Sequence, residues 1–308
     1  MFWLVCYLQA PRFASSTFSE SRFPVSLQKL PPDFELIKGH NLIGAVRKDV
    51  SSCLETTGLF DADATSIEKM EGIMKLGGRG TVYSVPLPSS GRRIVVRCSR
   101  RGGFGGALLK DKYWGSRRPF RELAVTEKMR KAGIPVPEML AVIARRALGP
   151  FFTTVIVTRL IENAVNLADF LQECGTDRGC IGRKKAVIDA TACLVRRMHD
   201  AGFLHADLQA KNILVQQREE SNEIFVVDLD GARHLCSLGN KPREKNLFRL
   251  NRSIAKLGLS NVTRADRLRF LRSYFADDPL GDDAEGFLIK RCDRHQRRHQ
   301  RFWRQEGD

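Results

Sequence analysis

Between residues 205 and 212 the chain reads His-Ala-Asp-Leu-Gln-Ala-Lys-Asn. An acid at Asp207 followed by an amide at Asn212 suits phosphoryl transfer. The carboxylate can face an acceptor hydroxyl, while the amide oxygen reaches a metal ion on nucleotide phosphates. Lys211, between them, is a cation placed to stabilise charge on the group in flight. A second acid, Asp228, closes the apolar run Ile224-Phe225-Val226-Val227 and is followed by Leu229-Asp230-Gly231. Asp228 with Asn212 is the sparse oxygen set that Mg2+ prefers, because that ion keeps several of its own waters.

Residues 205–212 match H-x-D-L-x-x-x-N, the catalytic-loop pattern of protein kinases, and Asp228 falls at the D-F-G position. Further upstream, Gly77-Gly78-Arg79-Gly80-Thr81-Val82-Tyr83-Ser84-Val85 holds part of G-x-G-x-x-G-x-V. Gly78 and Gly80 stand at the first two glycines and Val85 at the valine, with Tyr83 in place of the third glycine. Backbone amides in such a hairpin can approach phosphates closely. Arg97 ends Ile94-Val95-Val96-Arg97, where the pattern has lysine. Arginine can hold phosphate through two parallel hydrogen bonds. Its expected acidic partner is Glu122 on the next helix, with Glu127 the weaker choice. The adenine edge is expected near residues 158–161.

These groups need strands in the first half and helices in the second. Residues 74–85 read as strand, glycine turn, strand, and Arg92–Cys98 as a β-branched strand after Gly91. Pro119–Ala132 reads as a helix with proline in its first turn and Gly133 at its stop. Phe152–Leu160 reads as a buried strand. Helices are expected over 164–174 with Asn166 as N-cap, 181–201 ending at Gly202, 246–257 and 264–275. Short strands at 213–215 and 224–227 flank a turn. The expected architecture is α+β, a bilobal protein-kinase-like fold with a β-rich N-lobe and a helical C-lobe. Residues 1–70 read as an N-terminal extension broken by prolines, 71–160 as the N-lobe, and 161–308 as the C-lobe with a basic tail.

The 308 residues carry 51 Lys and Arg against 35 Asp and Glu, a net charge of +16. The excess is local: residues 92–121 hold 10 basic and 1 acidic side chains, and residues 241–273 hold 10 and 2. Such clustering points to an anionic partner. With 43% hydrophobic residues the chain is not disordered as a whole, and no apolar run is long enough to cross a bilayer. The 8 cysteines form no C-x-x-C pair, so reduced thiols are expected rather than a zinc site. Zinc-finger, Walker A and RNA-binding signatures are absent, which disfavours nucleic acid as partner. His295 and His299 sit among arginines that would repel a cation.

Taken together, these motifs resemble the lipopolysaccharide core kinases, and most of all the 3-deoxy-D-manno-octulosonic acid (Kdo) kinases related to the inner-core heptose kinases. The resemblance runs over residues 74–275. It includes Val95-Val96-Arg97, Arg100-Arg101-Gly102-Gly103, Asp111-Lys112-Tyr113, Arg121-Glu122-Leu123 and Gly133-Ile134-Pro135-Val136-Pro137. Asn246-Leu247, Arg249-Leu250 and Arg252-Ser253 follow the two acidic motifs. In that family an arginine at position 97 and a second acid at Asp230 are expected. The resemblance implies ATP- and Mg2+-dependent phosphorylation of a sugar hydroxyl on Kdo-lipid A or an inner-core lipopolysaccharide. It also implies a cytoplasmic enzyme, peripheral on the anionic surface of the inner membrane. Asp207 would be the base, Asn212 and Asp228 the Mg2+ ligands, and Arg97 with Glu122 the holder of the α- and β-phosphates. Gly78 and Gly80 would cover the phosphates, and Arg100 and Arg101 would bind the acidic acceptor. The alternative is an atypical protein kinase of the RIO type, against which Arg97 counts.

Overall fold

The computed structural model describes residues 30–60, 64–76, 81–87, 91–98, 113–114, 117–146, 151–175, 178–218, 222–259 and 261–276. The first half builds one antiparallel sheet. Its strands are β1 (Phe34–Gly39), β2 (Leu42–Arg47), β3 (Met74–Leu76), β4 (Thr81–Pro86), β5 (Arg93–Cys98), β6 (Tyr113–Trp114), β7 (Met139–Arg146) and β8 (Phe151–Arg159). The order is β1-β2-β7-β8-β5-β4-β3, with β6 also paired to β8. Two short helices, α1 (Ser51–Thr56) and α2 (Ala64–Ile67), lie between β2 and β3. A third, α3 (Arg117–Lys131), precedes β7.

β7 is apolar on both faces because both are covered. On one side Leu140 and Ala141 join Leu54, Leu59, Ile67, Tyr83 and Ile94. On the other, Met139 and Val142 pack with Phe120 and Leu123 of α3. β5 alternates instead, with Ile94, Val96 and Cys98 buried and Arg93, Val95 and Arg97 on the opposite face. That alternation turns Arg97 toward the side of the sheet where α3 lies. The sheet also corrects the expected extension over residues 1–70. Residues 34–47 form a hairpin whose second strand pairs with β7 from Leu42↔Arg145 to Val46↔Ala141. The prolines that suggested an extension fall before Asp33, while the run Leu42-Ile43-Gly44-Ala45-Val46 is a strand in composition.

The second half is helical around a small sheet. It contains β9 (Ala164–Asn166), α4 (Leu167–Cys174), α5 (Ile181–Asp200), β10 (Phe203–Leu204), β11 (Ile213–Gln217), β12 (Asn222–Val226), β13 (Arg233–His234), α6 (Asn240–Lys256) and α7 (Arg264–Phe275). Asn166 caps α4 by accepting from the Asp169 amide at 3.0 Å, as expected, although residues 164–166 are strand. A single core holds Val187, Leu194 and Met198 of α5 against Phe203, Leu208 and Ile213. Gly202 ends the α5 turn at φ +79, and a Cβ there would lie 2.2 Å from the Leu235 carbonyl oxygen. Only glycine lets the chain turn there into β10 and the loop at residues 205–212. Cys174 and Cys180 form a disulfide with their Cα atoms 5.4 Å apart, in place of the reduced thiols expected. No helix among the described residues is long and apolar enough to cross a membrane.

Candidate active site

The loop from His205 to Asn212 leaves β10 and enters β11 through a 3-10 turn, Ala210–Asn212. His205 fixes its shape. The Nε2 of His205 lies 3.0 Å from the Val227 carbonyl oxygen, and its Nδ1 lies 3.0 Å from the Asp207 amide nitrogen. A carbonyl can only accept and an amide N–H can only donate, so the ring is neutral with its proton on Nε2. Burial, ahead of every other influence, keeps the His205 pKa below its ordinary value, which agrees. This ring ties the loop to the segment that carries Asp228. A second tie is the Val227 amide donating to the Asn212 carbonyl at 3.0 Å.

α6 supplies the floor. Asn246 accepts from the His205 amide at 3.2 Å and donates to the His205 carbonyl at 2.8 Å. One face further along, the Ser253 hydroxyl oxygen accepts from the Ala210 amide at 2.9 Å. Residues 246 and 253 are two turns apart on one helix face, so both ends of the loop rest on a rigid element. Asn246 also meets His199, which burial holds neutral with its pKa lowered to about 4. Removing Asn246 would leave buried backbone groups unsatisfied, at about 1–3 kcal/mol each. Asp207 itself is held three ways. Its amide donates to His205, its carbonyl accepts from Asn212 Nδ2 at 2.9 Å, and Oδ2 accepts from Gln209 Nε2 at 2.6 Å.

Arg97 meets the loop from the sheet. Its guanidinium bonds both Glu122 of α3 and Asp228, residues far apart in the chain. Burial works against the Arg97 charge, but Glu122 and Asp228 more than offset it and hold the pKa above the ordinary value. Asp228 has φ +59, the left-handed region that a non-glycine residue seldom adopts. That backbone turns the carboxylate back from the end of β12 toward Arg97. Next to it, Arg118 of α3 grips Asp230 with both guanidinium arms, the Nε bond being 2.6 Å. The donors fit a hard divalent cation: one carboxylate at Asp228 and one amide oxygen at Asn212, whose own Nδ2 is already used. Among the described residues no cluster of three acids, histidines or cysteines offers an alternative.

Glu122 is only 7% exposed. Burial pushes its carboxyl up to about 7, Arg97 pulls against that, and Asp230 and Asp228 add to it. The folded chain therefore holds this proton more tightly than the unfolded chain does. The associated stability is full below about pH 4.5 and is lost as pH rises to about 7. The ion pair with Arg97 follows the opposite course and completes as Glu122 ionises. Phosphotransfer is expected to climb through about pH 7 and to lose that step in Glu122→Gln, with activity roughly 10-fold lower. A pH–rate profile of both proteins checks this. An unchanged step in the variant would assign it to another group.

Of the residues expected from sequence, the structure brings Asp207, Asn212, Asp228, Arg97 and Glu122 together. Lys211 stands exposed on the 3-10 turn. Glu127 is not the partner of Arg97; it is buried on the far turn of α3 and bonds Arg130. Val85 is corrected. It lies opposite Ile94 in the β4–β5 register and packs with it in the apolar cluster, on the face away from Arg97. The residue across from Arg97 is Val82. The Val85 assignment counted from the glycines without the two-residue period of the strand. Gly78, Gly80, Arg100, Arg101, residues 1–29 and the basic tail lie outside the described residues. Asn246 and Ser253 were not read as functional, although both belong to segments that carried the resemblance.

An antiparallel sheet bearing an Arg–Glu pair, joined to a helical body with an H-x-D-x-x-x-x-N loop, defines a protein-kinase-like phosphotransferase. The lipopolysaccharide kinase (Kdo/WaaP) family matches residues 67–274, and the chain belongs to that family. Curated relatives named 3-deoxy-D-manno-octulosonic acid kinase include one from Haemophilus influenzae, 34% identical, aligning 60% of this chain with 76% of its own. One from Vibrio vulnificus is 32% identical, covering 58% and 71%. One from Xanthomonas campestris pv. campestris is 35% identical, covering 62% and 72%. Among solved structures, "WaaP in complex with acyl carrier protein" matches with a TM-score of 0.51 at 24% identity, over 78% of this chain and 95% of that one. That likeness carries the fold. The named relatives make this chain an enzyme that transfers a phosphoryl group to an alcohol.

Proposed function

We propose that the chain phosphorylates a sugar hydroxyl of the lipopolysaccharide inner core, on Kdo or heptose, with ATP as donor. The observation that supports this most is the meeting of Arg97, Glu122 and Asp228 beside the loop that carries Asp207. Asp207 Oδ1 would take the proton of the acceptor hydroxyl as that oxygen attacks the γ-phosphorus, and ADP leaves on the opposite side. Asn212 and Asp228 would hold Mg2+, which when bound neutralises charge on the phosphates. Arg97 would turn from Asp228 to the α- and β-phosphates, steadied by Glu122. Lys211 would face the charge that builds on the transferring group. Gly78 and Gly80 would cover the phosphates, and Val82 rather than Val85 would lie under the nucleotide. The clustered positive charge favours work at the cytoplasmic face of the inner membrane, against anionic lipid.

The test is one transfer assay. Purified protein, γ-labelled ATP and Mg2+ are incubated in parallel with Kdo-lipid A, heptosylated Kdo-lipid A and a generic basic protein. Label is expected in a glycolipid, and the shortest glycolipid accepted identifies the sugar. Label in the protein alone would overturn the proposal in favour of an atypical protein kinase.

A further inference from the structure

α6 does more than support the loop. It carries six basic side chains and one acid, Glu244, in 17 residues. One of them, Arg249, lies between the two anchoring residues Asn246 and Ser253. Its Nη1 stands 3.6 Å from Asp207 Oδ1, and the two side chains are 47% and 52% exposed. That distance is an ion pair but too long for a hydrogen bond. Asp207 does not need Arg249 to keep its place, since His205, Gln209 and Asn212 already fix it. Among the described residues Arg249 has no other ion pair and no hydrogen bond. Its backbone is set rigidly by the neighbours that grip the loop, while its guanidinium fork is left open to solvent beside the reacting carboxylate.

We propose that Arg249 is the acceptor-binding cation: it takes an oxyanion of the acidic glycolipid and so sets the sugar hydroxyl against Asp207. A planar fork of N–H donors matches a carboxylate or phosphate bidentately, and fixes orientation as well as position. The oxyanion adjoins the reacting hydroxyl, because Arg249 adjoins the base. The sugar carboxylate answers that requirement, and a lipid A phosphate is the other source of the same chemistry. Beyond it, Arg252 and Lys256 continue an exposed basic line along α6. This assignment rests on the lipopolysaccharide reading above.

The test compares wild type, Arg249→Gln and Arg249→Lys on three acceptors: Kdo-lipid A, its Kdo carboxyl methyl ester, and Kdo-lipid A stripped of its lipid phosphates. For Arg249→Gln on Kdo-lipid A, the acceptor KM should rise roughly 10- to 100-fold while the KM for ATP stays put, the effect of one charged hydrogen-bonded contact. Arg249→Lys should recover part of it. One of the two altered acceptors should cost wild type a similar factor and cost Arg249→Gln nothing further, and which one does so names the oxyanion. If Arg249→Gln lowers kcat alone, or still discriminates among the acceptors as wild type does, the assignment is overturned while the lipopolysaccharide reading stands. If wild type labels none of the three and leaves heptosylated Kdo-lipid A unlabelled as well, that reading fails and the assignment falls with it.

Discussion

Asp228→Ala is expected to reduce Mg2+-dependent phosphotransfer roughly 1,000-fold, the upper end of what the loss of a single preorganised donor gives. Asp228 is the only carboxylate in the proposed metal set, so no neighbour can replace it. Asp230 cannot, because both its oxygens are held by Arg118. The fold should survive. Asp228 is about half exposed, at 47%, and its charge pair with Arg97 spans the site rather than the core. Aspartate already carries most of the left-handed backbone cost at φ +59, so alanine adds no more than about 1 kcal/mol, a shift of a few degrees in Tm for a chain of this size. Labelled transfer read beside a thermal melt separates the two effects. Turnover that persists in a well-folded variant would remove Asp228 from the metal site.

Asp207→Asn should lower kcat by roughly 100- to 10,000-fold, the range of one general base, and leave the KM for ATP near its wild-type value. The asparagine keeps the volume and its carbonyl oxygen can still accept from Gln209. The His205 contact to the residue 207 amide and the Asn212 contact to its carbonyl use backbone atoms alone. The loop thus keeps its shape and loses only the proton acceptor. Steady-state kinetics with both substrates varied will show it, and an unaltered kcat would exclude Asp207 as base.

The candidate site was legible where its proposed chemistry demands a fixed spacing along a short stretch. Asp207, Lys211 and Asn212 belong to one turn and its flanks, and Asp228 ends the next hairpin, so local sequence carried them. Arg97 and Glu122 were legible through order along the chain and an ion pair that a buried acid requires. What was not legible depends on packing. Val85 was misassigned because the glycine count ignores which face of β4 is covered, and the Ile94 opposite it settles that face only through the register. Asn246 and Ser253 act across 41 and 43 residues, and their helical spacing looks the same in any amphipathic helix. The β1–β2 hairpin escaped for a related reason. Its strands are 6 residues each and ordinary in composition, and their place depends on pairing with β7 nearly a hundred residues later.

That hairpin separates two boundaries that are easily confused. Similarity to the family starts at residue 67, yet Val46, Leu54 and Leu59 lie beneath Tyr83, Val85 and Ile94 and are essentially inaccessible. At the other limit, among the described residues, Tyr274 belongs to the helical core and Phe275 packs against it, where the similarity ends. A fragment cut to residues 67–274 would retain every side chain proposed for the chemistry. It would also open the long edge of β7 and uncover the apolar face of the sheet, the two features that make strands seek one another. The stretch shared across relatives is therefore shorter than the stretch that can be handled in water, and among the described residues the difference includes the N-terminal hairpin and α1.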